Sequence, residues 1–124
     1  MKTEIAEFLR ETDKTTTVNY GYTERKLQVT RPRVVCNDGF SVSVQAGLYG
    51  AYYDEVSVIH GLDLGFVCYR SVELGYPSVD DPIIHDYMED LSSDVYPYVP
   101  VEIVEQLIQK HGGINWDKTL RKSV

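Results

Sequence analysis

The stretch that decides the fold reads Arg33-Val-Val-Cys-Asn-Asp-Gly-Phe-Ser-Val-Ser-Val-Gln-Ala46. Its centre, Asn37-Asp38-Gly39, supplies the positive φ that a tight hairpin turn requires. After the turn, apolar and polar residues alternate with the period of a strand, which puts one set on a common apolar face: Phe40, Val42, Val44 and Ala46. The stretch therefore predicts an antiparallel hairpin with one face in the core and the other, with Ser41, Ser43 and Gln45, in water.

The flanking segments carry helix and strand periodicity. Residues 3–12 place Ile5, Phe8 and Leu9 on one helical stripe. Residues 15–30 predict a second hairpin, with the polar cluster 23–26 as its loop, and residues 64–73 predict a central strand because both of its faces are apolar. Pro97 cannot donate to a sheet, so residues 95–99 are expected at an edge.

Two further helices are predicted in the C-terminal half. Asp81-Pro82 combines an N-cap carboxylate with proline at the first helical position, which starts a helix over residues 80–91. Pro100 opens the second helix, and Gly112-Gly113 before Ile114 has the form of a glycine C-cap. We expect an α+β fold, with an antiparallel sheet of about four to six strands covered on one face by two or three short helices. Residues 1–124 are read as one domain with a frayed basic tail at 115–124.

The acidity of the chain is local. The 124 residues carry 19 acidic and 12 basic side chains, a net charge of -7. Between residues 73 and 109 there are nine acids and no lysine or arginine. This charge argues against direct binding of nucleic acid or an anionic membrane and favours a partner protein with a basic surface.

The acidic segment has two interpretations. It is either a solvated helix face or an imitation of nucleic-acid phosphates, since carboxylates three or four residues apart on a helix lie about 5–6 Å apart. The candidate partner-binding residues are the segment's carboxylates and the tyrosines of the preceding loop: Asp80, Asp81, Asp86, Glu89, Asp90, Asp94, Tyr49, Tyr52 and Tyr53.

A basic cluster offers a ligand-binding alternative. Its cations and aromatic rings, which would hold a phosphate or stack on a base, are Arg25, Arg31, Arg33, Tyr20 and Tyr22. Such a site would sequester a small nucleotide signal at the interface of a homo-oligomer; the other interpretation is a solvated hairpin end.

Catalytic and metal signatures are weak. Cys36 with His60 or His85 and Asp38 could form a nucleophile site, but Cys36 precedes a turn and reads more simply as a packed thiol. The three histidines are far apart in sequence, and Asp80, Asp81 and Asp86 are explained by capping and solvation without a metal. No catalytic residue, metal or cofactor is predicted. Two cysteines and the lack of a long apolar run indicate a cytoplasmic protein.

Three motifs carry a resemblance: the stretch 31–46, Glu73-Leu-Gly-Tyr-Pro-Ser78, and the stretch 95–114 with its closing Lys-His-Gly-Gly-Ile. With them, residues 31–114 resemble small accessory proteins encoded by bacteriophages and prophages. That group is similar, as a class, to inhibitors of host defence such as anti-CRISPR proteins. The resemblance implies a cytoplasmic inhibitor, in the host cell, of a nucleic-acid-handling defence complex, and it brings no catalytic residues.

Overall fold

The protein was analysed as a computed structural model that describes residues 3–46, 58–61, 66–87 and 94–120. The described helices are α1 (Glu4–Glu11), a 3-10 helix (Pro82–Tyr87), α2 (Val101–Lys110) and α3 (Trp116–Leu120). The described strands are β1 (Thr15–Tyr20), β2 (Thr23–Gln28), β3 (Val34–Val35), β4 (Ser41–Gln45), β5 (Val58–Gly61), β6 (Phe66–Tyr69), β7 (Ser71–Gly75) and β8 (Val95–Pro100). Within these ranges no helix is long and apolar enough to cross a membrane.

The main sheet has four antiparallel strands in the order β3-β4-β7-β8. Two antiparallel pairs, β1-β2 and β5-β6, stand beside it. Helices α1 and α2 contact each other, and α2 also contacts β8. The α+β class predicted from the sequence is confirmed, as is the edge position of the strand that contains Pro97. The prediction of one central strand over residues 64–73 is wrong, because the chain changes sheet at Arg70: β6 belongs to the pair β5-β6, and of the two strands only β7 is central.

The β3–β4 hairpin has the predicted turn. Val34 pairs with Val42, the Cys36 N–H donates to the Phe40 carbonyl at 2.7 Å, and Gly39 has φ +97°. The Asp38 carboxylate accepts the Phe40 N–H at 2.8 Å, which fixes the turn from its own side chain. Alternation along β4 then decides which residues enter the core.

The buried apolar side chains form one cluster that draws on every layer. Ile5 and Phe8 come from α1, Val42 and Leu74 from the sheet, and Leu107 from α2, and all are at most 1% exposed. Burial of such a side chain contributes about 1.5–3 kcal/mol relative to exposure. This cluster makes the predicted stripes of α1 and α2 and the apolar face of β4 into one core.

The polar face of β4 is not uniformly wet, because Gln45 is buried. Its side-chain carbonyl accepts the Arg31 N–H at 2.9 Å, and its amide donates to the Arg31 carbonyl at 3.0 Å. The Gln45 side chain thus makes the two hydrogen bonds with the Arg31 backbone that a neighbouring strand would otherwise make. Pro32, which has no N–H, interrupts strand pairing at this point. The expectation that Gln45 faces water is wrong for this reason.

Two local predictions are corrected. The β1–β2 turn lies at Gly21-Tyr22, where Gly21 has φ +66°, and residues 23–26, the predicted loop, belong to β2. The turn forms where glycine accepts a positive φ and not at the charged cluster. The tail is also not frayed up to residue 120: the Asn115 N–H donates to the Val35 carbonyl at 2.8 Å, and residues 116–120 form α3, whose Thr119 hydroxyl accepts the Val35 N–H at 2.9 Å. Residues 121–124 lie outside the described ranges.

The C-terminus of α2 docks on the β3–β4 turn. Gly112 and Gly113 have φ +89° and +85°, and the Gly113 N–H returns to the Ile108 carbonyl at 2.9 Å, as the predicted glycine cap requires. The carbonyls that follow the helix are taken by the turn: Asn37 N–H donates to the Gly113 carbonyl and Asp38 N–H to the His111 carbonyl. The helix end and the hairpin turn therefore satisfy each other's backbone groups.

This docking predicts that Gly113→Ala destabilises the fold more than the φ cost alone. A Cβ at residue 113 would lie 2.7 Å from Glu4 Oε1, and its φ of +85° is unfavourable for alanine. The Glu4 carboxylate would have to move and weaken the hydrogen bonds it accepts from the Ile114 N–H and the Gln109 amide. Gly39→Ala is the matched control, because Gly39 has φ +97° but open space around its Cβ. Urea unfolding should show a loss of about 1–2 kcal/mol for Gly39→Ala, the φ cost alone, and a larger loss for Gly113→Ala. Equal losses would contradict the close approach of Glu4.

Candidate functional site

The predicted acidic residues do not share one environment. The Asp80 side chain is 72% exposed and its carboxylate contacts His85 Nε2 at 2.7 Å. Asp86 and Asp94 are exposed as well, whereas the Asp81 side chain is only 4% exposed. Glu89, Asp90, Tyr49, Tyr52 and Tyr53 lie outside the described residues.

Asp81 is bonded within the protein. One carboxylate oxygen accepts the Ile83 N–H at 3.0 Å and the Lys110 ammonium at 3.1 Å, and the other contacts His111 Nε2 at 3.0 Å. The Ile83 bond is the predicted N-cap, although the helix it starts is a 3-10 helix over residues 82–87. Burial acts to raise the pKa of Asp81, but the bonds from Ile83, His111 and Lys110 outweigh it and the pKa is lowered. Asp81 is therefore a structural carboxylate and does not belong to a partner-binding surface.

His111 joins two carboxylates from distant parts of the chain. Its Nδ1 contacts Asp38 Oδ2 at 2.7 Å, opposite the Asp81 contact, and its ring stacks on Phe40 with centroids 4.0 Å apart. Burial acts to lower the pKa of His111, but Asp38 and Asp81 stabilise the imidazolium and raise it. The pKa of Asp38 is lowered first by the Phe40 N–H and then by His111.

Three large side chains in the segment that carries the exposed acids, residues 76–98, are themselves exposed. Tyr76 and Tyr98 are each 60% exposed and Val79 is 63% exposed. The backbone bond from Tyr76 N–H to the Asp94 carbonyl, 2.8 Å long, places Tyr76 next to Asp94. We call the following residues the acidic aromatic surface: Tyr76, Val79, Asp80, Asp86, Asp94 and Tyr98.

Strand β8 begins directly after Asp94 and contains Tyr98. Its register with β7 shifts between Val72 and Leu74, so that the stretch containing Pro97 and Tyr98 has one residue more than the opposing stretch of β7. Burial raises the pKa of the Tyr96 hydroxyl, and the charges of Asp80 and Asp94 raise it further. Both carboxylates therefore act on the same side chain of this edge strand, although 14 positions separate them.

Both exposed tyrosines have strained backbones. Tyr76 has φ +52° and Tyr98 has φ +55°, a region that non-glycine residues rarely adopt. At Tyr98 the strain accompanies the bulge, and at Tyr76 it accompanies the end of β7. Each positive φ costs about 1–2 kcal/mol for a residue with a side chain, so these positions carry tyrosine at the expense of stability.

The basic cluster of the ligand-binding alternative is not assembled. Arg31 is buried and donates to the Ala46 and Leu9 carbonyls and to the Thr12 hydroxyl, while its guanidinium lies 5.7 Å from the Tyr69 ring centroid. Burial lowers the pKa of Arg31, opposed by Tyr69 and Asp13. The prediction of Arg31 as a ligand residue is therefore not supported, since its donors are directed at the protein itself.

The remaining residues of that alternative are dispersed. Arg33 is exposed and donates to Ser41 and to the Tyr76 carbonyl, whereas Arg25 lies on β2 in a separate sheet. Tyr22 is fully exposed in the β1–β2 turn, and the side chain of Tyr20 lies outside the described part. Arg25 therefore lies on a different sheet from β4, which Arg33 contacts, and Arg31, between them in sequence, is bonded within the protein.

Cys36 is packed beneath the hairpin turn. It is 1% exposed, and burial followed by the charges of Asp38 and Glu4 raises the pKa of its thiol to about 11. A thiol in this state is a poor nucleophile at neutral pH. Within the described ranges, no group of three or more histidine, cysteine or acidic side chains could hold a metal ion.

The sequence missed the residues that the site depends on most. Lys110 and His111 stand directly before the predicted glycine cap, and Asp38 belongs to the predicted hairpin turn; neither position by itself indicates a charged cluster. Their meeting with Asp81 could not be read from spacing, since 73 positions separate Asp38 from His111. Tyr76, Val79 and Tyr98 carry no sequence signal of exposure.

The cluster that His111 forms with Asp38, Asp81 and Lys110, called the His111 cluster, predicts that stability depends on pH. A raised histidine pKa contributes stability that is complete below about pH 6.5, the unfolded value, and is lost as the pH rises through the folded value. The lowered pKa values of Asp38 and Asp81 affect stability at acidic pH: the stability that these carboxylates contribute is lost as the pH falls below about 3.9. The free energy of unfolding should therefore decrease as the pH rises from about 6.5 into the alkaline range.

Chemical denaturation of His111→Gln at several pH values tests this. The variant should be less stable than the wild type at pH 6 and lack the decrease at higher pH. His85→Gln removes an exposed histidine that also contacts a carboxylate and should keep the decrease. A wild-type stability that does not change over this range would contradict the paired imidazolium.

No protein-family model, curated protein or solved structure matches this chain. The likeness to phage accessory proteins stays a prediction. The features from which a function can be inferred are the exposed carboxylates and tyrosines of the described chain.

Proposed function

We propose that this chain is an acidic binding protein that occupies a basic surface of another protein. Its partner, under this proposal, is a nucleic-acid-handling complex of host defence, of the CRISPR-Cas type, and the chain is a phage-encoded inhibitor of it. The observation that carries the proposal is the acidic aromatic surface, in which the carboxylates of Asp80, Asp86 and Asp94 and the large side chains of Tyr76, Val79 and Tyr98 are exposed.

The charge balance supports a basic partner. The segment from 73 to 109 contains no lysine or arginine, and Lys110, the next cation along the chain, is bonded to the buried Asp81. Attraction between this surface and a basic channel would be long-range at low salt and screened beyond about 8 Å at physiological ionic strength. A complex that binds nucleic acid presents such a channel, and carboxylates that enter it would compete with phosphates.

The tyrosines support a surface that binds through contact as well as charge. Tyrosine is enriched among the residues that dominate binding energy at protein interfaces, because its ring is large and rigid and its hydroxyl is polar. Tyr76 and Tyr98 keep such rings exposed at strained backbone positions. Strain retained at an exposed position is typical of functional sites.

A triple variant tests the electrostatic part. Asp80→Asn, Asp86→Asn and Asp94→Asn together should weaken binding to the defence complex by about threefold to a hundredfold, since three exposed charge contacts of about 0.2–1 kcal/mol each sum to about 0.6–3 kcal/mol. Binding should be measured by displacement of labelled DNA from a purified complex captured from bacterial lysate, at about 50 and 200 mM salt. The variant should also reduce the salt dependence.

The matched control changes the same number of charges elsewhere. Glu7→Gln, Glu11→Gln and Glu24→Gln together alter three exposed carboxylates on α1, at its C-terminal end and on β2. This variant has the same net charge as the test variant and should bind like the wild type. Equal inhibition by both variants and the wild type would rule out the acidic aromatic surface as the binding site.

A single substitution separates binding from stability. Tyr76→Asn removes the exposed ring and places at φ +52° a residue that tolerates positive φ. Thermal unfolding should show stability unchanged or raised by up to about 1 kcal/mol, because strain is relieved. Binding to the same complex should nevertheless weaken. A variant that binds as tightly as the wild type would exclude Tyr76 from the interface, and Tyr22→Asn, in the β1–β2 turn, is the control.

A further inference from the structure

The two contacts of the His111 ring suit its protonated form and cannot both persist when the ring is neutral. The imidazolium has two N–H groups, and both ring nitrogens are within hydrogen-bond distance of a carboxylate. The neutral ring has one N–H and one lone pair. When His111 loses its proton, one of the two carboxylates must therefore face a lone pair at under about 3 Å, which is repulsive.

The two carboxylates differ in what else can stabilise them. Asp81 is 4% exposed, so water cannot solvate it, and it needs the bonds it has within the protein. The Asp38 side chain is 49% exposed and lies in a surface turn. An ionised carboxylate that loses a partner is far less costly in water than in the interior.

We propose that His111 is a pH-sensitive clamp that, on deprotonation, keeps Asp81 and releases Asp38. The neutral ring carries its hydrogen on Nε2, toward Asp81, and presents the lone pair of Nδ1 to Asp38. The Asp38 carboxylate then turns into solvent and gives up the bond to the Phe40 N–H. The cluster of Asp38, Asp81, Lys110 and His111 changes from a net charge of zero to -1.

The surroundings of His111 confine the change to one side chain. The charged groups that face it are Asp38 from the β3–β4 turn, Asp81 from the start of the 3-10 helix, and Lys110 of α2 through Asp81. Phe40, stacked on the ring, carries no charge, and Cys36 is a buried neutral thiol. The backbone bonds from Asn37 N–H to Gly113 and from Asp38 N–H to His111 do not titrate, so the turn stays docked on α2.

Two backbone N–H groups report on the two carboxylates that His111 contacts. The Phe40 N–H is bonded to Asp38 Oδ1 and the Ile83 N–H to Asp81 Oδ1. Nuclear magnetic resonance of the wild-type protein between about pH 5.5 and 9 should show the Phe40 amide shifting with the His111 ring and losing exchange protection by about tenfold more than the amide's intrinsic rate change. The Ile83 amide should keep its protection, and ring ¹⁵N shifts should show the neutral ring protonated at Nε2.

Two outcomes would overturn the clamp. One is a neutral ring protonated at Nδ1, and the other is a response of Ile83 without one of Phe40. Asp38→Asn keeps an oxygen for the Phe40 N–H but removes the charge, so its Phe40 amide should no longer follow the ring. His85→Gln should leave both reporters as in the wild type. This experiment uses the protein alone, so its result is independent of the proposed function.

Discussion

The C-terminus of α2 is the point on which the rest of the structure depends. A helix leaves its last carbonyls without partners, and here the Asn37-Asp38-Gly39 turn supplies N–H groups to the carbonyls of His111 and Gly113. The same turn sends the Asp38 carboxylate to the His111 ring, and Asp81 reaches that ring from the other side. One residue therefore fixes the hairpin, the helix end and the start of the 3-10 helix relative to one another.

Arg31 likewise joins two elements, α1 and β4. Its guanidinium satisfies the last turn of α1 and the end of β4 through the Leu9 and Ala46 carbonyls, while Gln45 holds its backbone. A buried charge is costly unless its donors are used, and the described contacts use most of them. Arginine suits this place because a planar fork of donors can serve carbonyls that lie in different directions. The cation is therefore removed from the surface, where a ligand would have met it.

The sequence predicted what local chemistry controls. The Asp-Gly turn, the stripe of Ile5, Phe8 and Leu9, the glycine cap after α2 and the edge position of Pro97 each follow from backbone preferences within a few residues. Contacts between distant segments were not predictable in this way: Gln45 with Arg31, and Asp38 with His111 and Asp81, involve polar residues whose local pattern indicates solvent. The candidate surface was predicted in part for that reason. Asp80, Asp86 and Asp94 are exposed as expected, whereas Asp81 has the same local pattern and is buried.

The burial of Asp81 decides where the two cations that follow the acidic segment are bonded. A carboxylate that is 4% exposed must be neutralised by the protein, and the side chains that do so are Lys110 and His111. Lys110 keeps half of its side chain in solvent while its ammonium is bonded to Asp81, and His111 lies between Asp81 and Asp38. The pairing that holds the start of the 3-10 helix thus directs both cations to Asp81 and not to the exposed carboxylates of Asp86 and Asp94. Under the proposed function, this direction preserves the negative charge of the acidic aromatic surface.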